Sequence, residues 1–221
     1  MPLLNEHVKN HLIKEFNELK ERVKLIVFTQ EFECEYCEET RKLIEELASL
    51  SDKLSIEVYD FVKDKEKVKK YNIDKIPAIV IEGKKDYGIR FYGIPAGYEF
   101  SSLIEAIKMV STGDSGLSNL SKQLLKKLNK PTRIQVFVTL TCPYCPLAVQ
   151  LANKIAFESD FASSEMIDSV EFPHLAHKYN VLAVPKIIIN EEIQFEGALP
   201  EDAFINQVLK TLEKGKSTIY G

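Results

Sequence analysis

The chain has 221 residues, a formal net charge of −4, and 45% hydrophobic and 28% charged residues. This is the make-up of a folded globular chain, and it excludes collagen and intrinsic disorder. The acidic balance argues against a nucleic-acid binder, which carries a basic stripe. No apolar run approaches the roughly 18–20 residues that span a bilayer, and the first residues lack the basic-then-apolar pattern of a secretory signal.

In chain order, Val8, Leu12, Phe16 and Leu19 recur at helical spacing and predict an amphipathic helix. A β-branched and aromatic strand follows over 23–29, then a helix over 35–50 that opens on Cys34 and Cys37. A second strand is expected over 56–60 and a short helix ending at Tyr71. The mixed charge run over 63–70 is the solvated face of that helix. A hairpin pairs 78–81 with 88–92, and a last helix carries Phe100, Leu103, Ile104 and Ile107. The small, polar stretch over 111–116 reads as a linker. The same order then returns. A helix carries Leu120, Leu124 and Leu128, a strand covers 134–139, and a helix over 143–158 opens on Cys142 and Cys145. A weaker strand over 166–170, a short helix ending at Tyr179, a hairpin of 186–189 with 193–196, and a helix with Phe204, Val208 and Leu212 complete it. Ile44, Leu47, Leu147 and Leu151 are expected in the core.

The two halves share the same features in the same order, with a second hairpin shorter by four residues, so that Gly93 and Phe100 meet Gly197 and Phe204 at an offset of 104. An offset of 108 brings Cys34-Glu-Tyr-Cys37 onto Cys142-Pro-Tyr-Cys145, Tyr71-Asn72-Ile73 onto Tyr179-Asn180-Val181, and Ile76-Pro77 onto Val184-Pro185. The chain is therefore two copies of one unit, expected over 1–112 and 117–221. Strands alternating with helices predict an α/β fold with an antiparallel hairpin at one edge of each sheet.

All four cysteines fall in the two pairs, Cys34/Cys37 and Cys142/Cys145. In a reducing cytoplasm, the expected location, such pairs are catalytic or metal-binding rather than structural. Abundant Lys (25) and Glu (24) with scarce Gln (6) lean toward a thermophile. A cysteine at the start of a helix faces unpaired N–H groups and the positive end of the helix dipole. Both favour the thiolate, the species that attacks a disulfide. A partner three residues on is close enough to close an internal disulfide. Pro143 is expected in the first helical turn. Pro77 and Pro185 each follow a first cysteine by 43 residues, with Ile76 and Val184 before them. That repetition favours a rigid wall of a substrate cleft over an ordinary strand-start proline. Tyr36 and Tyr144, between the cysteines, line the clefts or cover the helix starts.

Strand, C-x-x-C and helix, then a proline opening a later strand, resemble the thioredoxin fold. Cys-Pro-Tyr-Cys is similar to the glutaredoxin motif. Two such units in one chain resemble the glutaredoxin-like protein disulfide oxidoreductases of thermophiles. The resemblance implies two tandem thioredoxin-like units, each a mixed sheet flanked by helices. It also implies dithiol–disulfide exchange with Cys34 and Cys142 attacking, Cys37 and Cys145 resolving, and cis Pro77 and Pro185 opposite them. It implies no bound cofactor, protein disulfides or dithiols as substrates, and electrons from an NADPH-linked flavoenzyme resembling thioredoxin reductase. No nucleic acid or membrane partner is expected. The sequence departs from thioredoxins six residues before each first cysteine, where Phe28 and Val136 replace a buried Asp that relays protons. The stretches over 93–97 and 197–201 also lack a glutathione-binding Gly-Gly-Asp turn.

The pairs differ in surroundings. Glu31, Glu33, Glu35, Glu38 and Glu39 flank the first, whereas the second has Thr139, Thr141, Pro143 and Pro146. At ~8 Å, five carboxylates raise the Cys34 pKa by up to about one unit. The Cys142/Cys145 pair is then the more oxidising. Two other readings compete. Two C-x-x-C pairs can form a four-cysteine metal site, and tandem units of this type also serve as peptide-binding or chaperone modules. His7 with His11 and His174 with His177 have chelating spacing, but read as surface residues for want of further ligands.

Overall fold

Strand β1 (Val23–Thr29) is apolar at nearly every position, and successive side chains of a strand point to opposite faces. Leu25 and Val27 enter one core and Ile26 and Phe28 another, so β1 lies inside a sheet covered on both sides. The structure, a computed structural model, describes residues 3–214. The outermost residues of the two expected units, 1–2 and 215–221, lie outside the described residues.

Before β1 runs α1 (Glu6–Phe16), capped by the Asn5 side chain, which accepts from the Val8 N–H. After it come α2 (Cys37–Ala48), β2 (Leu54–Asp60), α3 (Lys65–Lys70), the hairpin β3 (Ala78–Glu82) and β4 (Asp86–Tyr92), a single 3-10 turn over Gly97–Glu99, and α4 (Phe100–Thr112). The second half repeats this as α5 (Asn119–Leu125), β5 (Thr132–Val138), α6 (Cys145–Glu158), β6 (Ala162–Asp168), α7 (Pro173–Lys178), β7 (Lys186–Ile189), β8 (Ile193–Glu196) and α8 (Glu201–Lys214). The repeated Tyr-Asn after each short helix has a backbone reason. Asn72 and Asn180 sit at φ 53° and 50°, the left-handed region that Asn tolerates better than most residues.

The eight strands among the described residues form one sheet in the order β2-β1-β3-β4-β6-β5-β7-β8. Within each half the first two strands are parallel and the hairpin antiparallel. The halves join through a parallel β4–β6 pair, with Ile89 opposite Ser164 and Tyr92 opposite Ile167. Helices α1, α2, α4, α6 and α8 cover one face with a continuous apolar core. On the other face Tyr71, Ile73, Phe172 and Tyr179 pack beside α3 and α7.

Several expectations are corrected. Strand β6 starts at Ala162, not 166, because Ser163, Ser164 and Glu165 disguise it as polar. Those groups are partnered. The Ser164 hydroxyl donates to Asn153 Oδ1 (2.8 Å), and Arg133 grips Glu165 through Nε and Nη2 at 2.6 and 2.8 Å. Arg133 also reaches Asp74 of the first half at 3.2 Å, tying the halves together at the β6 seam. Leu120 and Leu147 face solvent instead of the core. Leu19 and Leu128 lie beyond α1 and α5 but are buried as expected of them. Helix α4 runs through Thr112, and the buried Ser111 hydroxyl accepts from the N–H groups of Lys20 and Glu21.

Candidate functional site

Both helices begin slightly later than the sequence suggests. Cys37 and Cys145 are the first residues of α2 and α6, with Tyr36 and Tyr144 as N-caps. Cys34 and Cys142 therefore stand in the turn before the helix. Pro143 lies outside α6, and Pro146 occupies its first turn. The shift keeps the electrostatic argument. The Cys145 N–H, one of the orphan donors of the helix start, points at the Cys142 sulfur over 3.1 Å.

Each pair is closed as a disulfide, with Cα–Cα distances of 5.4 Å for Cys34/Cys37 and 5.5 Å for Cys142/Cys145. Accessibility divides each pair. Cys37 and Cys145 are 1% and 0% exposed, Cys142 is 9% exposed and Cys34 is half-buried. An outer sulfur faces incoming groups and an inner one is shielded. Among the described residues no three His, Cys, Asp or Glu side chains are arranged to hold a metal ion. His11 pairs with Glu15 at 2.8 Å, and His174 packs edge-on against Phe172.

The Ile76–Pro77 and Val184–Pro185 bonds are both cis. The Val184 carbonyl oxygen lies 3.8 Å from Cys142 Sγ, which brings that proline segment against the outer sulfur. Each segment is braced by the strand after it. The Gly93 N–H donates to the Pro77 carbonyl at 3.0 Å and the Gly197 N–H to the Pro185 carbonyl at 2.8 Å. An open cleft of about 630 Å3 lies beside Cys34, lined by Glu31, Glu35, Glu38 and Asp60 among others. The flanking glutamates are all exposed, and Lys42 pairs with Glu38. Solvent and this pairing reduce their effect on Cys34. Around the second pair the rim is apolar, with Tyr144, Leu147 and Leu182 all exposed. Tyr144 is thus a rim residue. Tyr36 is half-buried and faces a small cleft shared with Thr139, Thr141 and Glu171 of the other half.

Sequence reasoning missed three carboxylates. Glu99, in the 3-10 turn that packs against α6, is fully buried, and burial pushes it up to about 7. Burial likewise pushes Glu171 up to about 7 and raises Asp168. They escaped notice because they lie far in sequence from both cysteine pairs. The available signal was the break in the repeat that sets Glu171 against Lys63.

The thioredoxin domain family model matches residues 22–105 and 132–210. The chain is similar to the protein disulfide oxidoreductase from Aeropyrum pernix, with a TM-score of 0.89 and 32% identity over 98% of this chain and 97% of that one. It is similar to the N-terminal domain of the alkylhydroperoxide reductase AhpF from Enterococcus faecalis, with a TM-score of 0.86 and 28% identity over 93% and 99%. Among curated proteins, it is 29% identical to an NADH dehydrogenase of Bacillus subtilis, over 68% of this chain and 27% of that one. It is also 29% identical to the F component of the alkyl hydroperoxide reductase of Staphylococcus aureus, over 70% and 28%. The chain spans less than a third of the length of these curated relatives. Two thioredoxin-type repeats, each with a closed C-x-x-C pair and a cis X–Pro bond, suit dithiol–disulfide exchange, and this chain belongs to the thioredoxin-domain family.

Proposed function

We propose that the Cys142/Cys145 pair carries most of the exchange with protein disulfides, and that Cys34/Cys37 is a second, less oxidising pair. The observation that carries this reading is the Cys145 N–H directed at the Cys142 sulfur. A donor aimed at the outer sulfur favours its thiolate. In the reducing direction, the Cys142 thiolate attacks one sulfur of a substrate disulfide. A mixed disulfide forms and the other substrate sulfur leaves as a thiolate. Cys145 gives up its proton and attacks Cys142 Sγ, the internal disulfide closes, and the second substrate sulfur leaves. The two thiol protons end on the two substrate sulfurs. Cys34 and Cys37 take the same roles at the first pair. Ile76-Pro77 and Val184-Pro185 form the walls against which a substrate chain lies, with Tyr36 and Tyr144 at the cleft edges.

The same reading has unfolded or loosely folded protein disulfides as substrates, supported by the apolar rim of Tyr144, Leu147 and Leu182. Electrons come from an NAD(P)H-linked flavoenzyme similar to thioredoxin reductase, a view supported by the likeness to reductases and dehydrogenases. The units fall over 1–112 and 117–221. A cytoplasmic setting in a thermophile agrees with the Lys- and Glu-rich composition. No described helix is long and apolar enough to cross a membrane.

The test is to trap the intermediate. Reduced protein carrying both Cys37→Ser and Cys145→Ser, so that neither outer cysteine can be resolved, is mixed with a disulfide-bonded peptide and accumulates a mixed disulfide whose mass and fragmentation place the bond mainly on Cys142. Attachment mainly at Cys34, or no adduct, contradicts the assignment.

A further inference from the structure

The β4–β6 pairing brings together two segments that the repeat alone would keep apart. The residues after β4, Gly93 and Ile94, meet the residues after β6, Asp168 to Glu171. Glu171 Oε1 accepts from the Ile94 N–H at 2.6 Å. Gly93 lies so close that a Cβ there would sit 2.9 Å from Glu171 Oε1 and 2.9 Å from Asp168 Cβ. Gly93 in turn donates to the Pro77 carbonyl. Glu171 thus reaches the first pair's proline wall through two consecutive hydrogen bonds. Its other oxygen, Oε2, is buried without a hydrogen-bond partner. The carboxyl shares a cleft with Tyr36, the residue between Cys34 and Cys37.

The second pair has no such clamp. A Cβ added to Gly197, the counterpart of Gly93, would meet nothing within 4 Å. Lys63 stands where Glu171 stands in the repeat, on the far edge of the sheet beside β2, where it is exposed, pairs with Asp60 at 3.6 Å and lines the open cleft beside Cys34. The asymmetry follows from topology, because β6 is central and β2 is an edge strand.

We propose that Glu171 is a positioning residue for the Cys34/Cys37 pair, supplied by the opposite unit. It fixes the Pro77–Gly93–Ile94 wall, and its acid group couples to ionisation at that pair. This deepens the exchange reading and rests on it. The charged and titratable groups facing Glu171 are Asp168 on its own segment and Glu35, Tyr36 and Glu39 around the start of α2. All are acidic, so a thiolate at Cys34 and a carboxylate at Glu171 oppose each other.

The test uses the full chain carrying Cys142→Ser and Cys145→Ser, so that only the first pair reacts. Cys34 alkylation by iodoacetamide is followed from pH 5 to 9, with exchange against a disulfide-bonded peptide measured alongside. Glu171→Gln keeps an acceptor for the Ile94 N–H. It is expected to speed alkylation at pH 7 roughly threefold, as a half-unit drop in thiol pKa does, with the peptide KM unchanged. Glu171→Leu also removes the acceptor and is expected to raise that KM severalfold. The reciprocal background, with Cys34→Ser and Cys37→Ser, is expected to show neither change at Cys142. If both variants lower thermal stability but leave the alkylation profile and KM as they were, Glu171 is only structural and the proposal falls. Equal changes at Cys142 also overturn it. A first pair that never closes to a disulfide in glutathione buffers would instead defeat the exchange reading itself.

Discussion

The backbone N–H of Cys145 lies 3.1 Å from the Cys142 sulfur, so the first turn of α6 donates to the atom that must carry negative charge. The first pair works instead among exposed glutamates, one of them neutralised by Lys42. Stabilising the reduced thiolate makes a pair more oxidising, by about 30 mV per 1.4 kcal/mol. Redox titration of the two double-serine variants is expected to give Cys142/Cys145 the higher potential, by on the order of 10–30 mV. Equal potentials, or the reverse order, would show that the local donor does not dominate.

The apolar rim predicts a selective loss. Tyr144→Ser with Leu182→Ser removes two exposed apolar groups beside the second pair without touching a sulfur. The KM for a reduced-and-scrambled protein is expected to rise about threefold to tenfold, as losing roughly 1 kcal/mol of apolar contact implies. The rate with a small disulfide such as oxidised glutathione should hold. A parallel fall for both substrates would assign the rim to the chemistry rather than to binding.

Gly97 couples the turn that carries Glu99 to the second pair. Its φ is +56°, and a Cβ would collide with the Leu140 carbonyl oxygen, which also accepts from the Tyr98 N–H. Gly97→Ala combines a left-handed backbone with a clash against main chain just before Cys142. Thermal melting is expected to show a loss of about 2–3 kcal/mol, or on the order of 5–10 °C. Peptide exchange should slow more at Cys142 than at Cys34.

Glu99 imposes a pH dependence of known sign. Its carboxyl titrates at about 7 in the folded chain against an ordinary 4.5, so between those values the folded state holds the extra proton. Stability then falls as pH rises through that window and levels off above it. Glu99→Gln removes the dependence. Relative to the variant, the wild type is expected to lose melting temperature progressively between the ordinary 4.5 and the folded value of about 7. A constant difference across that range would mean that Glu99 titrates normally.

Much of this was legible in the sequence because the repeat supplied internal controls. The cysteine pairs, Pro77 and Pro185, and the order of elements within each half followed from residues that recur at a fixed offset. What was hidden depends on contacts between the halves or between remote elements. Ser164 and Glu165 make β6 look like a loop until Asn153 and Arg133 satisfy them. The single eight-stranded sheet rests on β4–β6 pairing, which leaves no periodic trace. Glu99 and Glu171 are ordinary surface-type residues in the sequence, and only folding buries the first and half-buries the second. Leu120 and Leu147 show the converse, since helical spacing locates an apolar face but not which leucines stay outside it.

The most direct measurement is dithiothreitol-dependent reduction of insulin by the wild type and by the two double variants, Cys34→Ser/Cys37→Ser and Cys142→Ser/Cys145→Ser. Most of the activity is expected to survive loss of the first pair and to disappear with the second. An inactive wild type, or one whose activity depends only on Cys34/Cys37, would contradict the account.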